Sequence, residues 1–187
     1  MKKELDLGKE KIGKLLLAFS VPCIISMIIN SIYNIVDQIF IGKGVGIIGN
    51  AATNVIFPIV IICNALAGLV GNGAAANLSL RLGEGKKDEA KKSIGSSITL
   101  LFIISMLVVI IFELLLPNLV YAFGCTKNVY SSAMTYGRII VFGSFFMIVY
   151  SGLSQIIRAD GSPKYSMICL LVGAILNICL LYTSDAA

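Results

Sequence analysis

Apolar residues in this chain gather in long runs that are apolar on nearly every side, not in the one-sided stripes of a water-soluble helix. A helix needs about 20 mostly apolar residues to cross the hydrocarbon of a bilayer. Five stretches meet that requirement, at about 15–41, 51–80, 94–116, 133–157 and 165–181. The pattern predicts an all-α membrane protein with a five-helix transmembrane bundle. The first two stretches exceed a perpendicular crossing and should tilt, bend or project, with Pro22 and Pro58 as sites of kinking. The first is also about twice as long as the apolar part of a secretory signal and lacks a small-residue cleavage site, so it is expected to stay as a span.

Composition agrees with lipid as the solvent. Of the 187 residues, 57% are hydrophobic and 13% charged, whereas a soluble domain is about one-quarter charged. The net charge of +5 would suggest nucleic acid in a soluble chain, but here the basic residues form short clusters between apolar runs. Twelve of the fifteen Lys and Arg lie in the segment 1–14, in the loop from Arg81 to Lys92, and at Arg158 and Lys164. Only Lys43, Lys127 and Arg138 fall on the other side. This asymmetry predicts a cytoplasmic N-terminus in a multi-pass protein of the cell (inner) membrane, with membrane lipids as partners and no nucleic acid. The chain has no histidine, and its five cysteines lack metal-ligand spacing, so they read as small packing residues and the chain as no enzyme. The final run passes into Tyr182–Ala187 without a flanking anchor, the pattern expected of an interrupted reading frame in 182–187.

Two acids lie within the runs. Glu113, four residues before Pro117 among apolar neighbours, reads as an interfacial anchor. Asp37 is the sharper candidate. Ser26, Asn30, Tyr33, Asn34 and Asp37 share one face of a helix, and the opposite face is nearly all Ile, Val and Phe. A polar stripe ending in a carboxylate suits the wall of a wet cavity. Whether that carboxylate carries its charge depends on water or a cation reaching it, which is what proton or sodium coupling needs. In the second run Asn64, Gly68, Gly71 and Asn72 share a face suited to close helix packing or to cavity lining. The fourth run offers Tyr136, Tyr150, Ser151, Ser154 and Gln155, and the fifth Gly173 and Asn177. Gly44–Gly49 matches GxGxxG but follows a membrane run and not a strand, so no dinucleotide site is expected.

Four segments in order carry a family resemblance: Asn34–Gly42 (NIVDQIFIG), Gly71–Ser79 (GNGAAANLS), Arg81–Ala90 (RLGEGKKDEA) and Arg158–Lys164 (RADGSPK). Through them the chain, to about Cys179, resembles the multidrug and toxic compound extrusion (MATE) transporters. The resemblance implies a twelve-helix fold of two six-helix lobes, with this chain covering most of the N-terminal lobe and a C-terminal lobe as its partner. It implies export of organic cations or drugs by alternating access, with H+ or Na+ as coupling ion and no other cofactor. On this resemblance Asp37 matches the acidic residue of the first helix, with a possible Na+ at Asp37; Asn177 and Tyr136 match members of the same ion-coupling network. Asn30, Tyr33, Asn34, Gln38, Asn64 and Ser154 are expected to line the cavity. The family pattern continues to an Asp-Pro four residues beyond the asparagine, where this chain has Leu181 and Tyr182. The alternatives are flipping of lipid-linked oligosaccharides by a related fold, and a non-transporting membrane subunit or inactive fragment.

Overall fold

The computed structural model describes residues 12–185, so the lysines at 2, 3, 9 and 11 and the last two residues of the tail lie outside the described residues. Five helices follow in order: α1 (Ile12–Gly44), α2 (Gly46–Gly83), α3 (Lys87–Ala122), α4 (Lys127–Ala159) and α5 (Pro163–Asp185). Each is long and apolar enough to cross a membrane, and the described residues contain no strand. The protein is a multi-pass membrane protein.

The helices outrun the apolar stretches that mark them. α3 begins at Lys87 and continues through Pro117 to Ala122, and α4 begins at Lys127. Proline removes one donor from the ladder, and here it does not end the helix. The ends are set instead by turn chemistry. After α2, the Lys86 amide donates to the Arg81 carbonyl and Gly85 takes a φ of +77°. After α3, the Cys125 amide donates to the Val120 carbonyl and Gly124 takes a φ of +86°. In both turns a left-handed glycine lets the chain reverse while capping the last carbonyls.

The chain divides into two compact units, one of residues 41–160 and one of 1–40 with 161–187. In the first unit α2, α3 and α4 pack together, α2 most extensively on α4. Its core is a column of fully buried side chains: Ile56, Ile59 and Cys63 from α2, Leu101 and Leu116 from α3, and Val141 and Ile148 from α4. Buried hydroxyls are satisfied inside their own helices. Ser105 donates to the Phe102 carbonyl at 2.9 Å and Ser144 to that of Val141 at 2.6 Å. These two hydroxyls are thereby not left bare in an apolar medium.

Glycine decides how closely these helices approach. A Cβ on Gly71 would stand 2.9 Å from both the Cα and the carbonyl oxygen of Gly152, and one on Gly152 would stand 2.5 Å from Leu101. Neither backbone nor a buried leucine can move aside cheaply, so α2 and α4 touch backbone to backbone at this level. The turn between α2 and α3 is held by Arg81, whose Nε donates to Asn77 Oδ1 at 2.7 Å and whose guanidinium pairs with Glu89.

The second unit contains α5 and α1 up to Phe40. Within α1, Pro22 and Ser26 are buried, and Ser26 Oγ donates to the Pro22 carbonyl at 2.7 Å. Tyr33 and Asp37 continue that face in half-buried positions, whereas Asn30, Asn34 and Gln38 are exposed beside it.

The glycine contact makes a direct prediction. Gly71→Leu should destabilise the protein by about 1–3 kcal/mol through overpacking. Gly143→Ala, where an added Cβ meets nothing within 4 Å, should cost no stability and should add up to about 1 kcal/mol from the helix preference for alanine over glycine. Thermal unfolding of the two purified variants beside the parent chain checks this, and equal melting temperatures would refute the contact.

Candidate functional site

On α2, residues spaced by four return to the same face after about one turn. Asn64, Gly68 and Asn72 therefore form a row, flanked by Ala65 and Leu69. On α4, Ser151 and Gln155 form a shorter row by the same spacing. The Gly71–Gly152 contact lies beside both rows and brings them together, leaving an open cleft of about 690 Å³ lined by these seven residues. That volume falls within the range of small-molecule sites, about 300–1,000 Å³.

The cleft wall is polar but uncharged. Asn64 Nδ2 donates to the Val60 carbonyl one turn back at 3.0 Å, which fixes the amide and turns Oδ1 toward α4. There Ser151 Oγ lies 3.4 Å from that oxygen, the hydrogen-bonding contact between the two rows. The side chains of Asn72 and Gln155 make no hydrogen bond among the described residues, so their amides remain available as donors and acceptors. Gly68 keeps the middle of the wall open: a Cβ there would stand 3.6 Å from Asn72 Nδ2. Such a wall can orient a polar or cationic molecule through amide dipoles. It supplies no formal charge of its own, because none of its seven residues is ionisable.

The residues expected from the sequence fall in several places. Asn64 lines the cleft; Ser154, half-buried one turn from Ser151, is not among its lining residues. Tyr136 packs against the core of the α2–α4 unit. Asp37, Asn30, Tyr33, Asn34, Gln38 and Asn177 all belong to the other unit. Asp37 is half-buried and has neither hydrogen bond nor ion pair among the described residues, with Tyr33 one turn away on the same face. Asn34 Nδ2 donates to Asn30 Oδ1 at 2.6 Å and to the Asn30 carbonyl at 2.7 Å, an amide ladder along an exposed face. The Oδ1 atom of Asn177 is buried without a hydrogen-bond partner, as is that of Asn50 near the start of α2.

Asn72, Ser151 and Gln155 are the polar lining residues outside the six expected to line the cavity, although the sequence sets Asn72 on a face suited to packing or lining and offers the other two on the fourth run. Their signal is the repeat of four on each helix, which matches across α2 and α4. What the repeat lacks is register: only the glycine contact shows which turn of α4 stands opposite which turn of α2.

Known proteins share this fold. The MatE family model matches residues 22–183. Among curated relatives, the chain is 30% identical over 174 residues to the multidrug export protein MepA of Staphylococcus aureus, covering 92% of this chain and 38% of that protein. It is 22% identical over 174 residues to the probable multidrug resistance protein YoeA of Bacillus subtilis, covering 93% of this chain and 38% of that protein. Among solved structures, the MATE multidrug transporter DinF-BH superposes with a TM-score of 0.88 at 36% identity, over 96% of this chain and 41% of that one. The chain thus spans about two-fifths of the length of the proteins it resembles.

If Asn64 serves the cleft and not the packing, its removal should be structurally mild. Asn64→Ala should change stability by no more than about 0.5 kcal/mol, as at other exposed positions. A loss of about 2–5 kcal/mol, the range of large-to-small core substitutions, would make Asn64 a packing residue. Thermal unfolding in detergent reads the difference.

Proposed function

The chain belongs to the MatE family, and from that membership we propose that its helices form one wall of a transporter that exports drugs or organic cations by alternating access. The observation that carries the proposal is the uncharged amide-lined cleft between α2 and α4, set into two helices long and apolar enough to cross a membrane. A cation entering such a cleft exchanges part of its hydration for amide carbonyls, while the alkyl and aromatic parts of an amphipathic drug meet Ala65 and Leu69. Wide tolerance follows, because amides and hydroxyls hydrogen-bond in either sense and hold no fixed charge to reject a ligand.

The wall needs a second lobe to close a cavity, since alternating access requires two bodies that rock about a shared site. In this reading that lobe is the partner of the helices described above. The basic asymmetry of the loops supports a reading in which the N-terminus, the α2–α3 turn and the α4–α5 turn face the cytoplasm and the protein sits in the inner membrane.

Coupling is assigned to Asp37, with Asn177 and Tyr136 in supporting roles. Asp37 is half-buried and unpaired among the described residues, so its proton or a bound Na+ has no rival in a neighbouring basic group. Asn177 presents a buried oxygen without a donor, the kind of ligand that a proton-bearing group or a small cation satisfies. Binding of the ion and of the drug then compete through the charge of the carboxylate. Asn30, Tyr33, Asn34 and Gln38 supply the polar surroundings along the same helix. Flipping of lipid-linked oligosaccharides is the weaker reading, because the cleft holds no Lys or Arg to receive a pyrophosphate.

The test uses the full-length transporter that contains these helices, reconstituted in vesicles. Asp37→Asn should reduce efflux driven by a pH or sodium gradient to the level of protein-free vesicles, while drug binding to the detergent-solubilised protein persists. Gradient-driven efflux that survives the substitution would remove Asp37 from the mechanism.

A further inference from the structure

The unit of α2, α3 and α4 carries an ion pair that the transport reading leaves unused. Glu113 of α3 and Arg138 of α4 face one another across the two helices, with Nε of the arginine 3.5 Å from Oε1 of the glutamate. Both side chains lie on the outer surface of the unit, 45% exposed for Glu113 and 66% for Arg138. Their surroundings are apolar, because Ile110, Leu114, Ile139 and Phe142 are all exposed large side chains on the same stretches of helix.

The pair also has a definite depth. Arg138 stands where the polar first third of α4 gives way to the apolar run that starts at Ile139. Glu113 stands one turn before the close of the apolar run of α3. On both helices the charges therefore mark the edge of the hydrocarbon on the side of the α3–α4 turn. That is the level at which phospholipid headgroups join their acyl chains.

The contact leaves much of its capacity unused. At 3.5 Å it is longer than a charge-assisted hydrogen bond, which closes to about 2.7–2.9 Å. Among the described residues Arg138 has no other partner, so both its NH2 groups remain free to donate. The second carboxylate oxygen of Glu113 is equally free to accept. A donor fork beside an acceptor pair, neutral in sum, complements a headgroup that joins a phosphate to an amine.

We propose that Glu113 and Arg138 form a docking site for the phosphoethanolamine headgroup of a phospholipid. Arg138 receives the phosphate, and Glu113 accepts hydrogen bonds from the primary ammonium. The acyl chains then lie along the exposed apolar surface of α3 and α4. The chemistry distinguishes this headgroup from its relatives. A phosphocholine headgroup presents the same phosphate, but its quaternary nitrogen has no proton to donate. A phosphoglycerol headgroup has no cation for Glu113 and places its net negative charge beside that carboxylate.

The probe is a set of synthetic phospholipids with identical acyl chains, offered in equal amounts to the purified, delipidated full chain in detergent. Native mass spectrometry counts the lipids retained. Phosphatidylethanolamine should be retained over phosphatidylcholine by roughly tenfold, the worth of one hydrogen bond to a charged group. Glu113→Gln should bring the two lipids to equal retention, and Arg138→Gln should lower both. Equal retention by the parent chain, a preference for phosphatidylglycerol, or a preference that survives Glu113→Gln would each overturn the site. Should the variants fail to fold, the parent chain alone decides. Stepwise N-methylation of phosphatidylethanolamine should then lower retention progressively as protons are lost, and a flat response across the series would refute the proposal.

Discussion

The backbones of α2 and α4 meet at Gly71 and Gly152, and the placing of the cleft depends on that meeting. A methyl group on Gly71 would lie 2.9 Å from the carbonyl oxygen of Gly152, so any other residue at 71 would push these two helices apart, while one at 152 would meet Leu101 of α3. In lipid there is little gain from gathering apolar side chains, because the tails are as apolar as leucine. Close backbone approach replaces that drive with dispersion contact. It also fixes the register of the two helices, and so brings Asn64, Gly68 and Asn72 opposite Ser151 and Gln155. One contact thus does two things: it holds the unit together and it sets the polar rows face to face.

The same solvent limits what else the unit can contain. A polar group in the hydrocarbon needs a partner within reach. Ser105 and Ser144 find theirs in their own helices, which lets them sit in a fully packed core. The amides of Asn72 and Gln155 have none among the described residues, so their place is at the open cleft, where a ligand or water can serve them. Charge is confined to edges: Arg81 with Glu89 at the α2–α3 turn, and Glu113 with Arg138 at the edge of the apolar run.

Much of this was legible in the sequence, and the gaps have physical causes. The five spans stand out because long apolar runs admit few other folds, and the described residues form five helices of that kind. Their ends did not stand out. Apolarity ends at the headgroups, whereas a helix ends where glycines such as Gly85 and Gly124 can take left-handed angles, and α3 and α4 therefore project beyond their runs. The polar row of α2 was visible as a repeat of four. Its partner on α4 was not, because Ser151, Ser154 and Gln155 look alike until the glycine contact assigns a facing turn. Asp37 was conspicuous as a carboxylate in an apolar run, and the structure adds that it is half-buried without an ion-pair partner among the described residues.

The central claim is that the α2–α4 cleft belongs to water while the remaining surface of those helices belongs to lipid. Leu69 and Phe146 separate the two solvents well, because both are apolar and similarly exposed, at 72% and 67%, but only Leu69 lines the cleft. Spin labels placed singly at these positions in the bilayer-embedded transporter report their solvent through collision with a water-soluble nickel chelate or with oxygen, which concentrates in the hydrocarbon. The label at 69 should respond chiefly to the chelate and the label at 146 chiefly to oxygen. An oxygen-dominated response at both positions would mean that the cleft is filled by lipid, and the account of a drug-binding wall would fail.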